Sequence, residues 1–226
     1  MDSPLVIRGF LLDMDGLLLD TERISKRCWI AAEEETGFFM PPGFYDSLIG
    51  QSMARIRERL MEVMDPACDV DAFLEVASRI YTEAVTGPSL PLKKGARELL
   101  ELLNAREIPR CLATSTGRDL CGRKLKASGL NGHLPMRVCG DDVSRSKPAP
   151  EIYLKAASQL GHAPGDLLVL EDSENGIRSA LSAGCKVAHV PDLGQVQVET
   201  QIRVDRVFRD LLEVKASIER GEITIG

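Results

Sequence analysis

The stretch VIRGFLLDMDG, residues 6–16, decides the fold of this chain. From Val6 to Leu12 it is mostly apolar, and it then stops abruptly at Asp13-Met14-Asp15-Gly16. Such a run predicts a buried strand that ends in a polar turn. Open α/β sheets bind their ligands at the carboxyl ends of the strands, so the two aspartates of this turn become candidate site residues.

The segment that follows, residues 21–86, predicts three helices. Its apolar side chains recur at spacings of three and four residues, which is the period of an amphipathic helix. The first helix is expected to end at Gly37 and the third at Gly87-Pro88. The second is expected to begin after Ser52, as its cap, and to stop at Asp65-Pro66. A helical insert therefore follows the first strand.

Beyond the insert, short apolar runs alternate with helical segments. Strands are predicted at residues 111–114, 138–139, 167–170 and 187–190, with helices between them. A last helix is expected from Val207 to Arg220, with a packed face formed by Val207, Leu211, Val214 and Ile218. Strands that alternate with helices predict a parallel sheet covered by helices, so the expected fold class is α/β.

The composition excludes several classes of protein. With 28 Lys+Arg against 34 Asp+Glu among 226 residues, the net charge is −6. An acidic chain argues against nucleic acid or an anionic membrane as partner. We see neither an export signal nor an apolar run near the roughly 20 residues of a spanning helix. The six cysteines form no C-x-x-C pair, which is typical of buried free thiols in a reducing compartment, and we therefore expect a cytoplasmic protein.

Four carboxylates are predicted to meet at one edge of the sheet. Asp13 and Asp15 follow the first strand, and Glu171 and Asp172 follow a later one. Their mutual repulsion in a partly buried site needs compensation, which a hard divalent cation and Lys147 would provide. Oxygen ligands without His or Cys favour Mg²⁺ over zinc.

Each of these residues, taken alone, also has an ordinary structural interpretation. An aspartate such as Asp13 after a strand often only forms a turn. The pair Thr114-Ser115 at a strand end is more often the cap of the next helix, although helix N-termini also bind phosphate. Lys147 alone would be a surface charge, and Glu171-Asp172 alone a capping pair. It is the ordered set that favours a site.

The ordered set resembles the four motifs of the haloacid dehalogenase-like hydrolase superfamily. Residues 13–22, DMDGLLLDTE, resemble the first motif, and Ala113-Thr114-Ser115 the second. Ser146-Lys147-Pro148-Ala149-Pro150 is similar to the third, and Leu170-Glu171-Asp172-Ser173 to the fourth. Within the superfamily, the chain is most similar to the branch of β-phosphoglucomutases, phosphoglycolate phosphatases and sugar-phosphate phosphatases.

The resemblance implies a fold and a division of the chain. A Rossmann-like parallel sheet with helices on both faces would be formed by residues 1–20 and 88–226, and a small helical cap domain by residues 21–87. Contacts to the leaving group would come from the cap loop around residues 50–52 and from residues 21–23. Glu22 and Arg23 are equally interpreted as the exposed start of a helix.

The resemblance also implies chemical roles. Asp13 would attack the phosphorus of a phosphomonoester and become an aspartyl-phosphate. Asp15 would protonate the leaving oxygen and then activate water for the second step. Thr114 and Ser115 would bind the phosphate oxygens, and Lys147 would bridge Asp13 and the phosphate. The chain would thus be a phosphatase acting on a small phosphorylated metabolite, a sugar phosphate or similar.

A magnesium cofactor is part of the same implication. Mg²⁺ would be held by the Asp13 carboxylate, the Asp15 backbone carbonyl and Asp172, with Glu171 as a further direct or water-mediated ligand. The partner would be the small phosphorylated metabolite, with no nucleic acid and no membrane, and we expect a monomer.

A phosphosugar mutase similar to β-phosphoglucomutase is the alternative function. Mutase-like sequences carry a His shortly after the first motif and basic residues in the cap loop. Here Ser25 stands at the position of that His. The cap loop, residues 48–53, contains no Lys or Arg, and the next basic residue is Arg55. These differences favour a phosphatase. A non-catalytic binding module is a third possibility that no motif supports.

Overall fold

The computed structural model describes residues 3–51 and 53–226. Ser52, expected to cap the second helix and to belong to the cap loop, lies outside the described residues. The α-helices of the described residues are α1 (Thr21–Thr36), α2 (Met53–Val63), α3 (Val70–Thr86), α4 (Ala96–Ala105), α5 (Arg118–Ala127), α6 (Glu151–Leu160), α7 (Glu174–Ser182), α8 (Val198–Gln201) and α9 (Leu211–Glu219). The strands are β1 (Leu5–Ile7), β2 (Gly9–Leu12), β3 (Arg110–Ala113), β4 (Arg137–Val138), β5 (Leu167–Glu171), β6 (Lys186–His189), β7 (Arg206–Val207) and β8 (Ile223–Ile225).

A six-stranded parallel sheet forms the centre of the molecule, in the order β4-β3-β2-β5-β6-β7. Alternate side chains of β2 enter different apolar clusters. Phe10 and Leu12 pack with residues of α4, α5 and α9, whereas Leu11 packs with residues of α6 and α7. Helices therefore cover both faces of the sheet. The predicted α/β class is confirmed.

The strand predicted from Val6 to Leu12 is in fact two strands. β1 pairs with β8 in a separate two-stranded parallel sheet, and only β2 enters the central sheet. The break is at Arg8, whose exposed guanidinium lies 3.8 Å from the Asp166 carboxylate. A charged side chain needs solvent, so it interrupts the otherwise apolar run.

The last helix begins later than predicted. Asp210 caps α9, because its side chain accepts a hydrogen bond from the Glu213 N–H at 3.0 Å. Val207 lies before this cap, in β7 beside β6, and is 54% exposed, so its placement on the packed helical face is wrong. Leu211, Val214 and Ile218 are buried as predicted.

The three predicted helices of residues 21–86 are confirmed as α1, α2 and α3. They share an apolar cluster in which the Trp29 ring meets Tyr45 and Phe73 edge-on, at centroid distances of 5.6 and 5.7 Å. Gly37 ends α1 with a φ of 74°, a left-handed conformation that favours glycine. The division into a core of residues 1–20 and 88–226 and a cap of residues 21–87 stays a proposal.

The two connections between the helical insert and the sheet lie side by side. Leu19 and Leu92 form an antiparallel bridge, the Asp20 N–H donates to the Pro91 carbonyl at 3.0 Å, and the Lys93 N–H donates to the Leu18 carbonyl at 3.0 Å. The chain therefore leaves and re-enters the core at one place.

Two expectations from composition can be compared with the structure. The six cysteines are free, and all except the half-buried Cys68 are buried, which confirms the predicted free thiols. Among the described residues, no helix has the length and apolar character needed to cross a membrane.

Candidate active site

The predicted site residues lie at the carboxyl ends of three neighbouring strands. Asp13 follows β2, Thr114 follows β3, and Glu171 is the last residue of β5. Lys147 comes from the loop before α6, and its ammonium group reaches this edge of the sheet. The sheet order β3-β2-β5 thus brings together residues that are far apart in sequence.

Lys147 is the centre of this arrangement. Its Nζ donates hydrogen bonds to Asp13 Oδ1 at 2.5 Å, to Glu171 Oε1 at 2.7 Å and to the Ala113 carbonyl at 3.1 Å. It also lies 4.9 Å from the centre of the Tyr153 ring. Burial works against its charge, but the two carboxylates outweigh burial and hold the pKa of Lys147 above its usual range. It is a buried charge, 9% exposed, and not a surface one.

Glu171 holds Lys147 from the side of β5. One carboxylate oxygen accepts from Lys147 and from the Tyr153 hydroxyl, both at 2.7 Å. The other accepts from the N–H groups of Asp172 and Ser173 and from the Ser173 hydroxyl, at 3.0 to 3.1 Å. Although burial opposes it, Lys147 and these donors lower the pKa of Glu171. Both oxygens are committed to the protein, and the expected metal role of Glu171 stays a prediction.

Asp13, Glu171 and Asp172 offer carboxylate oxygens that lie within 4.8 Å of one another. Asp172 Oδ1 is buried and has no hydrogen-bond partner among the described residues. Burial and the neighbouring carboxylates raise the pKa of Asp172 well above its usual range. Burial also raises the pKa of Asp13 to about 7, although Lys147 acts in the opposite direction. One lysine thus leaves this group under-compensated, and the donor set fits a hard cation such as Mg²⁺.

Gly16 keeps the backbone close to this group of carboxylates. Its φ is +85°, and a Cβ at this position would lie 2.2 Å from Asp172 Oδ2. A residue with a side chain would therefore be strained and would displace Asp172. The close approach of the Gly16 backbone to the Asp172 carboxylate therefore explains why the first motif has a glycine here.

Asp15 has a separate set of partners. Its carboxylate accepts hydrogen bonds from the Lys124 ammonium and the Thr116 hydroxyl, both at 2.7 Å, and from the Thr21 hydroxyl at 2.9 Å. Burial acts to raise the pKa of Asp15, but these partners outweigh it and lower the pKa. The side chain is not part of the Asp13 cluster, so the metal contact expected from this residue rests on its backbone carbonyl.

Sequence reasoning missed Lys124, Thr116 and Tyr153, which contact the predicted residues. For Lys124 a signal was present, because it lies three residues after Cys121 and one before Leu125 on the buried face of α5. A lysine on an apolar helical face requires a buried partner. Thr116 and Tyr153 carried no comparable signal, since a hydroxyl is compatible with many surroundings.

Thr114 and Ser115 do not cap the next helix. The residue before α5 is Gly117, and Thr114 Oγ1 instead accepts from the Thr116 N–H at 3.1 Å. Thr114 is buried beside the Asp13 edge, whereas Ser115 is exposed. The alternative interpretation of this pair as a helix cap is wrong, and its phosphate-binding role stays a prediction.

The helical insert meets the core over this edge of the sheet. The Asn175 side chain donates to the Gly50 carbonyl at 2.5 Å, which joins the predicted cap loop to the start of α7. Burial, Asp15 and Asp192 raise the pKa of Glu22 to about 7. Arg23 is 52% exposed and pairs with Asp192 at 3.1 Å, in agreement with an exposed helix start.

Known proteins resemble this chain in sequence and in fold. Residues 10–190 match the family described as haloacid dehalogenase-like hydrolase. A probable pseudouridine-5'-phosphatase of Drosophila melanogaster is 35% identical over 214 residues, 91% of this chain and 90% of that protein. A phosphorylated carbohydrates phosphatase of Thermotoga maritima is 28% identical over 97% of this chain and 94% of its own length. A crystal structure of a HAD family hydrolase from Deinococcus radiodurans R1, with bound phosphate and sodium, superposes with a TM-score of 0.78 at 26% identity and covers 97% of each chain.

Gly176→Ala is expected to disturb the support of Lys147. A Cβ at this buried position of α7 would lie 1.8 Å from Glu171 Oε1, so the carboxylate would have to leave Lys147. We expect the free energy of unfolding to fall by about 3 kcal/mol, the scale of breaking a buried ion pair. Gly122→Ala is the matched control, because Gly122 is also helical but faces open space. The control is expected to gain up to about 1 kcal/mol from helix propensity. Urea unfolding measures both, and equal midpoints would contradict this account of Glu171.

Proposed function

Because this chain belongs to the haloacid dehalogenase-like hydrolase family, we propose that it is a Mg²⁺-dependent phosphatase that works through an aspartyl-phosphate. Phosphatase activity follows from the family and from the relatives named as phosphatases. The metal, the intermediate and the substrate are the proposed parts. The observation that supports them most is the buried contact of 2.5 Å between the Lys147 ammonium and the Asp13 carboxylate. Beside it lies Asp172 Oδ1, which has no hydrogen-bond partner within the described part of the chain.

Asp13 is the proposed nucleophile. A carboxylate that approaches a phosphate must overcome the repulsion of two anions, and the adjacent Lys147 charge reduces that repulsion. Phosphoryl transfer asks the protein mostly for positioning and charge stabilisation, which a fixed ammonium supplies. In the proposed first step, an Asp13 oxygen bonds to phosphorus while the bond from phosphorus to the leaving oxygen breaks. Thr114 and Ser115 would hold the phosphate oxygens.

Asp15 is the proposed acid and base. In the first step it gives a proton to the leaving oxygen, and in the second it takes a proton from the water that attacks phosphorus. The second step releases phosphate and restores the Asp13 carboxylate. The three hydrogen bonds from Lys124, Thr116 and Thr21 fix the position of Asp15 and favour its ionised form, the form that takes a proton from the attacking water. The proton taken in the second step is the one that Asp15 gives to the leaving oxygen of the next substrate.

The residues proposed to hold Mg²⁺ are Asp13, Asp172 and the backbone carbonyl of Asp15, with Glu171 as a further ligand. When bound, Mg²⁺ would supply positive charge against the carboxylates and the phosphate. The raised pKa values of Asp13 and Asp172 support this proposal, as does the buried Asp172 Oδ1, to which no described residue gives a hydrogen bond.

The proposed substrate is a sugar phosphate or a similar small phosphorylated metabolite. Support comes from the relatives, whose names refer to pseudouridine-5'-phosphate and to phosphorylated carbohydrates. The mutase alternative is less well supported, because these relatives are named phosphatases and the cap loop lacks basic residues before Arg55. We also propose a cytoplasmic location, which the six free thiols support. A monomer stays a prediction.

Asp13→Asn is expected to lower kcat by at least about 10³-fold, because a neutral amide cannot form the covalent intermediate. Hydrolysis of p-nitrophenyl phosphate with Mg²⁺ measures the loss. Asp119→Asn is the matched control, since the Asp119 side chain is 85% exposed on α5, and it should keep the full rate. Activity of the Asp13 variant above trace contamination would rule out this nucleophile.

Removal of Mg²⁺ by excess chelator is expected to stop activity, and added Mg²⁺ to restore it. A binding measurement independent of activity is the melting temperature. A ligand at 100 times its Kd stabilises the folded state by about 2.7 kcal/mol, so saturating Mg²⁺ should raise the melting temperature of the native chain. Asp172→Asn should lose this shift while it remains folded. A full rate in chelator, or an unchanged Mg²⁺ shift in the variant, would refute the metal site.

A substrate panel is expected to show hydrolysis of sugar phosphates with the highest kcat/KM. The panel contains pseudouridine 5'-phosphate, ribose 5-phosphate, hexose phosphates, phosphoglycolate and nucleotides, with released phosphate as the readout. β-Glucose 1-phosphate is assayed separately for isomerisation. Isomerisation faster than phosphate release would favour the mutase instead. A higher kcat/KM for phosphoglycolate than for the sugar phosphates would refute the proposed substrate class.

A further inference from the structure

Lys124 is a buried lysine that no motif of the sequence includes. It lies on α5 and is 1% exposed. Its neighbours on the same helical face, Cys121 and Leu125, belong to the apolar cluster under the sheet. Lysine is almost never fully buried unless it is paired, because an isolated ammonium loses its hydration. Its partners therefore explain why it is there.

The three N–H groups of the Lys124 ammonium meet three oxygen acceptors. They are Asp15 Oδ1 at 2.7 Å, the Tyr81 hydroxyl at 2.8 Å and the Thr116 hydroxyl at 3.4 Å. Thr116 in turn donates to the other Asp15 oxygen at 2.7 Å. An ammonium with three donors is fully satisfied by this set. The Asp15 carboxylate is thus held at both oxygens by one buried network.

Tyr81 connects this network to the helical insert. It lies on α3, whereas Lys124 and Thr116 belong to the part of the chain after residue 88. The Lys124 ammonium also lies 5.0 Å from the centre of the Tyr81 ring, a distance at which a cation is attracted to an aromatic face. This contact exists only while α3 lies against α5. The position of the insert and the position of Asp15 are therefore linked through one side chain.

The two aspartates of the first motif have different lysines. Asp13 is paired with Lys147 from the loop before α6, and Asp15 with Lys124 from α5. We propose that Lys124 is a positioning residue that fixes Asp15 for proton transfer, and that Tyr81 makes this positioning depend on the docked helical insert. The inference rests on the proposed function, in which Asp15 gives a proton to the leaving oxygen.

The test compares phenyl phosphate with p-nitrophenyl phosphate, two substrates of similar shape. Phenolate is the more basic leaving group, so its departure depends more on a proton from Asp15. The value of kcat/KM reports the steps up to release of the leaving group. We expect Lys124→Met to lower kcat/KM on phenyl phosphate about tenfold more than on p-nitrophenyl phosphate, within the range of general acid catalysis. A loss of fold alone would lower both values equally.

Lys126→Met is the matched control, because Lys126 lies two residues further along α5 and is exposed. It should leave both kcat/KM values unchanged. Tyr81→Phe keeps the ring and removes only the hydroxyl, and it should shift the ratio of the two values in the same direction by a smaller factor. This variant also keeps the inference testable if Lys124→Met fails to fold, which circular dichroism and thermal unfolding reveal.

Asp15→Asn separates failure of the inference from failure of the proposed function. If this variant shifts the ratio and neither Lys124→Met nor Tyr81→Phe does, the positioning role is overturned and the proposed acid stands. If Lys124→Met shifts the ratio and Tyr81→Phe does not, the link to the helical insert is overturned. If Asp15→Asn itself leaves the ratio unchanged, the acid role and the inference fall together.

Discussion

The buried contact of Lys147 with Asp13 and Glu171 is the interaction on which the rest of the site depends. Carboxylates at the ends of adjacent strands repel one another, and the low dielectric of the interior increases that repulsion. One ammonium placed between them makes the cluster tolerable in the folded state. The surrounding details serve this placement, since Tyr153 and the N–H groups after β5 fix Glu171, and Gly176 leaves room for it.

One lysine compensates only part of the negative charge of the carboxylate cluster. The remaining negative charge favours the binding of a cation. A fully neutralised cluster would have no reason to bind a cation, and an uncompensated one would resist folding. Asp172 remains partnerless at one oxygen among the described residues, and Asp13 is left with a raised pKa. The net charge of −6 is therefore a poor guide to ligands, because the local balance at the strand ends differs from the balance of the whole chain.

Much of the fold could be predicted because its signals are local. The spacing of apolar residues in the helical insert predicted α1 to α3, and the abrupt end of the first apolar run predicted the end of β2. Both signals lie within short stretches of sequence. The predictions were wrong where contact with a residue far away in sequence determines the structure. β1 leaves the central sheet because β8, more than 200 residues away, pairs with it. The ordered motifs placed Asp13, Lys147, Glu171 and Asp172 at one edge, but Lys124 is 109 residues from Asp15, and no local pattern links the two.

The bridge between Leu19 and Leu92 brings the two ends of the helical segment together. Paired residues of an antiparallel bridge have Cα atoms about 5 Å apart, a gap that a short hairpin turn can close. The whole helical segment is thus an excursion from a chain path that is nearly continuous without it. A change in the length of such an excursion would leave the strands that carry the carboxylates in place. Under the proposed function, the residues that contact the leaving group can therefore vary while the proposed reacting groups keep their geometry.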